Sequence, residues 1–285
     1  MENLLGIYEK ALPADITWRK RLQMVKSLGF DFLELSIDES DERLGRLDWS
    51  KEEKQELLMV VQHTGVPILS MCFSGHRRYP LGSHDKNVRE KALLLMEKAI
   101  DFASDIGIRV IQLAGYDVYY EEHDDETYKY FVEGLLKSVR LAGKRQVMLS
   151  VEIMDTPFLN SISKYMEYDS IIGSPWFTVY PDLGNLTAWG NDVEAELEKG
   201  IHRIVAVHIK DTLAVTDTFP GKFKEVPFGK GCVDFTRAFA KLKSLDYKGP
   251  FLIEMWSEKA EDPYQEVSKA KLLIEEKLRT AGYTA

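Results

Sequence analysis

Short apolar runs alternate along this chain with longer stretches in which apolar side chains recur at helical spacing, a pattern that predicts strand followed by helix, over and over. Leu4–Tyr8 is the first such run, with Glu9 and the loop Lys10–Ala14 behind it. Trp18, Leu22, Val25 and Leu28 keep helical spacing across Thr17–Leu28, and Gly29 supplies the stop. Phe30–Leu35 predicts the second strand and leads into the acidic loop Ser36–Asp48. Ser50 is placed as an N-cap, with Glu53 at the capping-box position of a helix reaching about Thr64. A third strand, Val66–Phe73, and a helix over Asn87–Ile106 follow, the helix carrying Leu93, Met96, Ile100 and Ala103 on one face. Further strands are expected at Ile108–Leu113, Val147–Ile153, Trp176–Pro181, Ile204–Asp211 and Pro250–Ile253. The helices Glu126–Lys144, Ser163–Ile172, Asn191–Lys199, Phe235–Leu245 and Asp262–Arg279 alternate with them, and Thr212–Val233 reads as a long loop.

Eight strand–helix pairs in strict alternation predict a parallel sheet, and eight units suit a closed barrel better than an open one. The fold class expected is therefore α/β, a single (β/α)8 TIM barrel forming one domain over residues 1–285. No glycine-rich dinucleotide or nucleoside-triphosphate loop follows a strand. Composition changes the picture only at its edges. With 45% hydrophobic and 29% charged residues the chain can bury a large core, and 37 Lys and Arg against 46 Asp and Glu give a net charge of −9. That acidic balance argues against nucleic-acid or anionic-membrane partners. The N-terminal residues lack a secretory layout and no apolar run approaches the ~20 residues of a membrane span, so a cytoplasmic location is expected. Cys72 and Cys232 are far apart and fit neither a disulfide framework nor a cysteine zinc site.

The candidate chemistry sits where apolar strands end. Ile204–Asp211 closes on His208, Lys210 and Asp211, and side chains two apart share a face, so His208 and Lys210 point one way while Asp211 turns aside. Leu149–Ile153 carries Glu152, Thr178–Asp182 ends on Asp182, and Phe251–Glu254 ends on Glu254. One imidazole and three carboxylates in successive units are the ligand types of one divalent metal ion, and mixed nitrogen and oxygen donors suit zinc, manganese or cobalt. The bland reading of any one of these residues is a solvated strand end. Their concurrence on the catalytic face of a barrel favours a metal site.

After the third strand, Ser74, His76, Arg77 and Arg78 offer donors to a phosphate, since Arg presents a bidentate fork. A solvated loop with surface ion pairs is the competing reading. Lys210 is expected to contact a substrate oxygen, whereas Lys222, Lys224 and Lys230 read as surface charges, and His84, His123 and His202 have no evident partners.

Longer blocks carry a resemblance. Gly6–Pro13, Ser74–Ser83, Ile111–Tyr120, Tyr180–Leu186, Val207–Asp211 and Ile253–Glu258 resemble the bacterial L-ribulose/L-xylulose 5-phosphate 3-epimerase family of xylose-isomerase-like barrels, from residue 6 to about residue 265. The resemblance implies that Glu152, Asp182, His208 and Glu254 hold one Zn2+ or Mn2+ ion and that Glu152 and Glu254 are the acid/base pair. It also implies a sugar-phosphate substrate in L-ascorbate and pentose catabolism, and a homodimer is the expected assembly. An aldose–ketose isomerase would use the same barrel with hydrogen moving between C1 and C2, and a non-catalytic sugar-phosphate sensor would bind without turnover. A DNA-repair phosphodiesterase needs more histidine ligands than one strand-end histidine provides.

Overall fold

A computed structural model describes residues 3–284. The strands are β1 (Leu5–Tyr8), β2 (Phe32–Ile37), β3 (Ile68–Phe73), β4 (Val110–Leu113), β5 (Met148–Glu152), β6 (Phe177–Tyr180), β7 (Val207–Ile209), β8 (Asp211–Leu213), β9 (Lys222–Val226) and β10 (Phe251–Ile253). The helices are α1 (Trp18–Ser27), α2 (Asp41–Gly45), α3 (Lys51–Thr64), α4 (Lys86–Ile106), α5 (Asp125–Lys144), α6 (Ile162–Ile172), α7 (Leu183–Ala188), α8 (Val193–Gly200), α9 (Phe235–Ser244) and α10 (Pro263–Thr280). Local chemistry sets their ends. Ser50 and Glu53 form the reciprocal capping box of α3, and Gly65 ends that helix at φ 73°, a conformation that a side chain would strain.

Eight parallel strands lie in the order β6-β5-β4-β3-β2-β1-β10-β7. The two ends of this sheet meet through the parallel pairs Val179–Ile204 and Asp182–His208. Val179 N–H donates to Arg203 O at 3.0 Å, Val205 N–H to Val179 O at 3.3 Å and His208 N–H to Pro181 O at 2.9 Å, which closes the barrel. The predicted barrel is the observed one.

Strand pleating then sorts the residues. Along β2, Leu33, Leu35 and Ile37 point outward into the main core, which they share with Leu22 and Val25 of α1 and Leu57 of α3. Phe32, Glu34 and Ser36 point inward. Phe32 fills the barrel over Gly6, where a Cβ would fall 2.3 Å from its ring, so only glycine fits there. Two residues further on, the interior turns polar at Glu34, and at this level the site begins.

Three departures from the sequence reading follow from short segments. The loop Thr212–Val233 holds an antiparallel hairpin, β8 with β9. Its base is pinned by Asp211, whose carboxylate accepts N–H groups from Gly229 at 2.8 Å and Gly231 at 2.9 Å. A Cβ on Gly231 would lie 2.0 Å from Asp211 Oδ1, so that approach requires glycine. The acidic loop Ser36–Asp48 completes β2 and then forms α2, with Ser40 as its N-cap. Asp182 caps α7, accepting Asn185 N–H at 2.7 Å, so the strand end turns straight into a helix.

Candidate active site

Glu152 ends β5, Asp182 stands one residue beyond β6 after Pro181, Glu254 directly follows β10, and His208 lies within β7. All four are buried, and one ligand atom from each lies within 4.8 Å of the others. Lys210 joins them, its Nζ 3.2 Å from Asp182 Oδ2 and 3.1 Å from Glu254 Oε2. His208 Nδ1 stands 3.0 Å from Glu152 Oε1 and 3.9 Å from Glu254 Oε2. Gln112 donates its side-chain N–H to the other oxygen of Glu152.

Burial and neighbours divide the ionisable groups. Burial raises Asp182 to about 7 even with Lys210 beside it. Burial and then the charge of Glu254 raise Glu152. Burial also works to raise Glu254, but Lys210 and His208 hold it down to about 2. Burial opposes the charge of His208, yet Glu34 and Glu254 raise it well above its ordinary value. Three carboxylates crowded out of water ask for more positive charge than one lysine and one imidazole give. Asp182 Oδ2 makes no hydrogen bond and has only the lysine ion pair, so a buried carboxylate oxygen is left open toward the cluster. These residues fit a small divalent cation with mixed oxygen and nitrogen donors.

The loop after β3 separates the four candidates placed there. Arg77 lies at the barrel mouth, its guanidinium carbon 5.7 Å from the Tyr116 ring centre and 5.2 Å from that of Tyr119, with a buried Nε that has no partner. Ser74 is buried beneath the loop. His76 and Arg78 make other contacts in this structure. The His76 ring is buried against Phe73, with Nε2 3.3 Å from Ala92 O, and burial lowers its pKa to about 4, so it offers no charge to an anion. Arg78 faces outward and pairs with Asp41 at 2.6 Å.

Sequence reasoning passed over other residues. Lys224, read as a surface charge, is carried by β9 over the site, its Nζ 5.6 Å from the Trp256 ring centre, while Lys210 approaches the same ring at 5.8 Å. Burial and the nearby Arg77 lower its pKa. Glu34 lies mid-strand in an apolar run and was hidden by it. Tyr116 donates its hydroxyl to Asp155. His84 pairs with Asp124 at 2.9 Å and Glu121 at 3.4 Å, correcting the view that it lacks partners. A cavity of about 450 Å³ opens beside Lys210, Glu254 and Trp256, lined also by Glu225 and Val226 of the hairpin.

Residues 22–276 match the family described as xylose isomerase-like TIM barrel, which sets the class. Solved structures of the same fold include "Structure of L-ribulose 3-epimerase", with TM-score 0.77 and 19% identity, covering 98% of this chain and 95% of that one. A D-allulose 3-epimerase from Methylomonas sp. superposes with TM-score 0.79 at 18% identity, covering 97% of this chain and 98% of the other. The L-ribulose-5-phosphate 3-epimerase UlaE of Escherichia coli O157:H7 (strain EC4115 / EHEC) is 58% identical over 278 residues, 98% of this chain and 96% of that protein. The chain belongs to the L-ribulose-5-phosphate 3-epimerase family of these barrels, and it is an isomerase-class enzyme. Among the described residues no helix is long and apolar enough to cross a membrane.

Proposed function

We propose that this enzyme interconverts L-xylulose 5-phosphate and L-ribulose 5-phosphate by inverting C3, with one divalent cation, Zn2+ or Mn2+, held by Glu152, Asp182, His208 and Glu254. The observation that carries the reading is the convergence of those four buried side chains within 4.8 Å, two of them glutamates on separate strands. A cation held there supplies electrophilic charge beside the C2 carbonyl, which acidifies the C3 hydrogen. One glutamate removes that proton from one face of the sugar and the other returns a proton to the opposite face. A free glutamate is a weak base toward carbon, so the cation and the neighbouring side chains must adjust the basicity of the pair. Lys210 orients Glu254 and approaches a sugar oxygen. Arg77 receives the phosphate at the barrel mouth with Ser74 beneath it, and Lys224 adds a second positive charge from the hairpin. The reaction serves pentose catabolism fed by L-ascorbate, and the assembly is a homodimer.

Metal analysis of the purified protein combined with NMR of L-xylulose 5-phosphate in deuterated water tests the whole reading. The expected result is one divalent ion per chain and deuterium entering at C3 as the epimer forms. Hydrogen moving to C1 with an aldose product would assign an aldose–ketose isomerase instead, and binding without exchange would assign a sensor.

A further inference from the structure

Glu34 lies outside the four-residue cluster, in the middle of β2, and is 0% exposed. Its Oε2 accepts the Ser70 hydroxyl at 2.6 Å and the Tyr180 hydroxyl at 3.2 Å. Its Oε1 stands 2.8 Å from Nε2 of His208. The other ring nitrogen, Nδ1, is the one that faces Glu152 and Glu254. In a neutral imidazole one nitrogen carries the hydrogen and the other a lone pair, and the partner of the first fixes the role of the second. Carboxylates have no hydrogen to give, and both nitrogens face them, so without a cation the ring carries a hydrogen on each. A cation held among Glu152, Asp182 and Glu254 would displace the one on Nδ1, and the hydrogen that stays is the one beside Glu34. We propose that Glu34 is a positioning residue that keeps the His208 hydrogen on Nε2 and turns the Nδ1 lone pair into the cluster. This assignment rests on the metal-centred reading of the site.

The surroundings hold both partners still. Ser70 comes from β3 and Tyr180 from β6, so the Glu34 carboxylate is tied to strands on different sides of the barrel. The Tyr180 ring also packs on the imidazole, with centroids 4.5 Å apart. A half-turn of the imidazole would place carbon atoms where both nitrogens now stand and break both contacts. Glu34 touches neither the 450 Å³ cavity nor the four ligand atoms' shared space, so its effect on chemistry passes through His208.

The test uses the full-length protein with 15N-labelled histidine and Zn2+ as the probe ion. The expected spectrum shows His208 bound through Nδ1, with a hydrogen retained on Nε2. In parallel, Zn2+ affinity is measured by chelator competition in Glu34→Ala and Glu34→Gln, with thermal melts as the folding control. Loss of the partner in Glu34→Ala should weaken Zn2+ binding about 10- to 100-fold. Glu34→Gln should recover most of that loss, because its amide oxygen still accepts from Nε2 while its NH2 group faces the Ser70 and Tyr180 hydroxyl oxygens. Zn2+ bound through Nε2, unchanged affinity in a folded Glu34→Ala, or a Gln variant as weak as the Ala variant would each overturn the assignment. The spectrum of the unaltered protein decides the matter even where Glu34→Ala fails to fold. Failure of the unaltered protein to take up Zn2+ or Mn2+ at all would instead bring down the metal reading, and this assignment with it.

Discussion

Nζ of Lys210 lies 3.1 Å from Oε2 of Glu254, and this contact makes the two glutamates of the site unlike each other. Glu254 has a cation at hydrogen-bond distance, whereas Glu152 is met by an amide from Gln112 and by the His208 ring. Burial would raise both, but Lys210 and His208 keep Glu254 low while Glu152 stays raised. One glutamate with a lysine against it and one without give the two faces of a bound sugar unlike partners.

Glu152→Gln and Glu254→Gln are therefore expected to lose C3 exchange by about 100- to 10,000-fold, since an amide neither takes nor gives the proton. Metal content and deuterium incorporation are measured together on each variant. Near-normal turnover with metal present would rule out the paired-glutamate mechanism.

Asp182→Ala and His208→Ala should lose metal and activity together. The activity loss is expected on the order of 100- to 1000-fold, the scale seen when a stabiliser of developing charge is removed. Full metal occupancy in both variants, read by elemental analysis, would refute their assignment as ligands.

Arg77 and Arg78 are adjacent in sequence and unlike in placement, so they should separate in kinetics. Arg77→Ala is expected to raise KM for the 5-phosphate about 10- to 100-fold, the scale of a lost charged hydrogen bond, with little effect on the unphosphorylated ketose. Arg78→Ala, which breaks only the exposed pair with Asp41, should leave both KM values unchanged. Equal losses on the two substrates would move the phosphate away from this loop.

His76 gives the fold a pH dependence of fixed sign. Its folded pKa is about 4 against an ordinary 6.5, so below 6.5 the unfolded chain takes up a proton that the folded one does not. Stability is complete above 6.5 and is lost as pH falls toward 4, by at most about 3 kcal/mol from this residue. Thermal melts of His76→Gln over that range should show a shallower slope than the unaltered protein. An identical slope would mean the ring protonates in place.

The barrel was legible because its strands are short, largely apolar runs and its helices carry glycine stops, as at Gly65 and Gly107. Glu152, Asp182, His208 and Glu254 stood out because each interrupts or follows an apolar run. Glu34 did not, although the expected strand Phe30–Leu35 leaves it one residue from its end as Val147–Ile153 leaves Glu152, because sequence does not show that it meets His208 across the barrel and is satisfied by hydroxyls from β3 and β6. Lys224 was missed for another reason. The β9 sequence Lys-Phe-Lys-Glu-Val alternates weakly and is partly exposed, and only pairing with β8 reveals which way its lysines face. For His76 and Arg78 sequence gives the charge but not which side of a tight turn each occupies.

The closure of the barrel between β6 and β7 has a mechanical side. Every other junction is a run of paired residues, whereas this seam is joined by the isolated pairs Val179–Ile204 and Asp182–His208. The second pair consists of two of the four cluster residues. A cation gripped by Asp182 and His208 would thus act as a rivet through the weakest joint of the cylinder, so that stripping it should quicken amide hydrogen exchange at Val205 and His208 before it does so on the β2–β3 side.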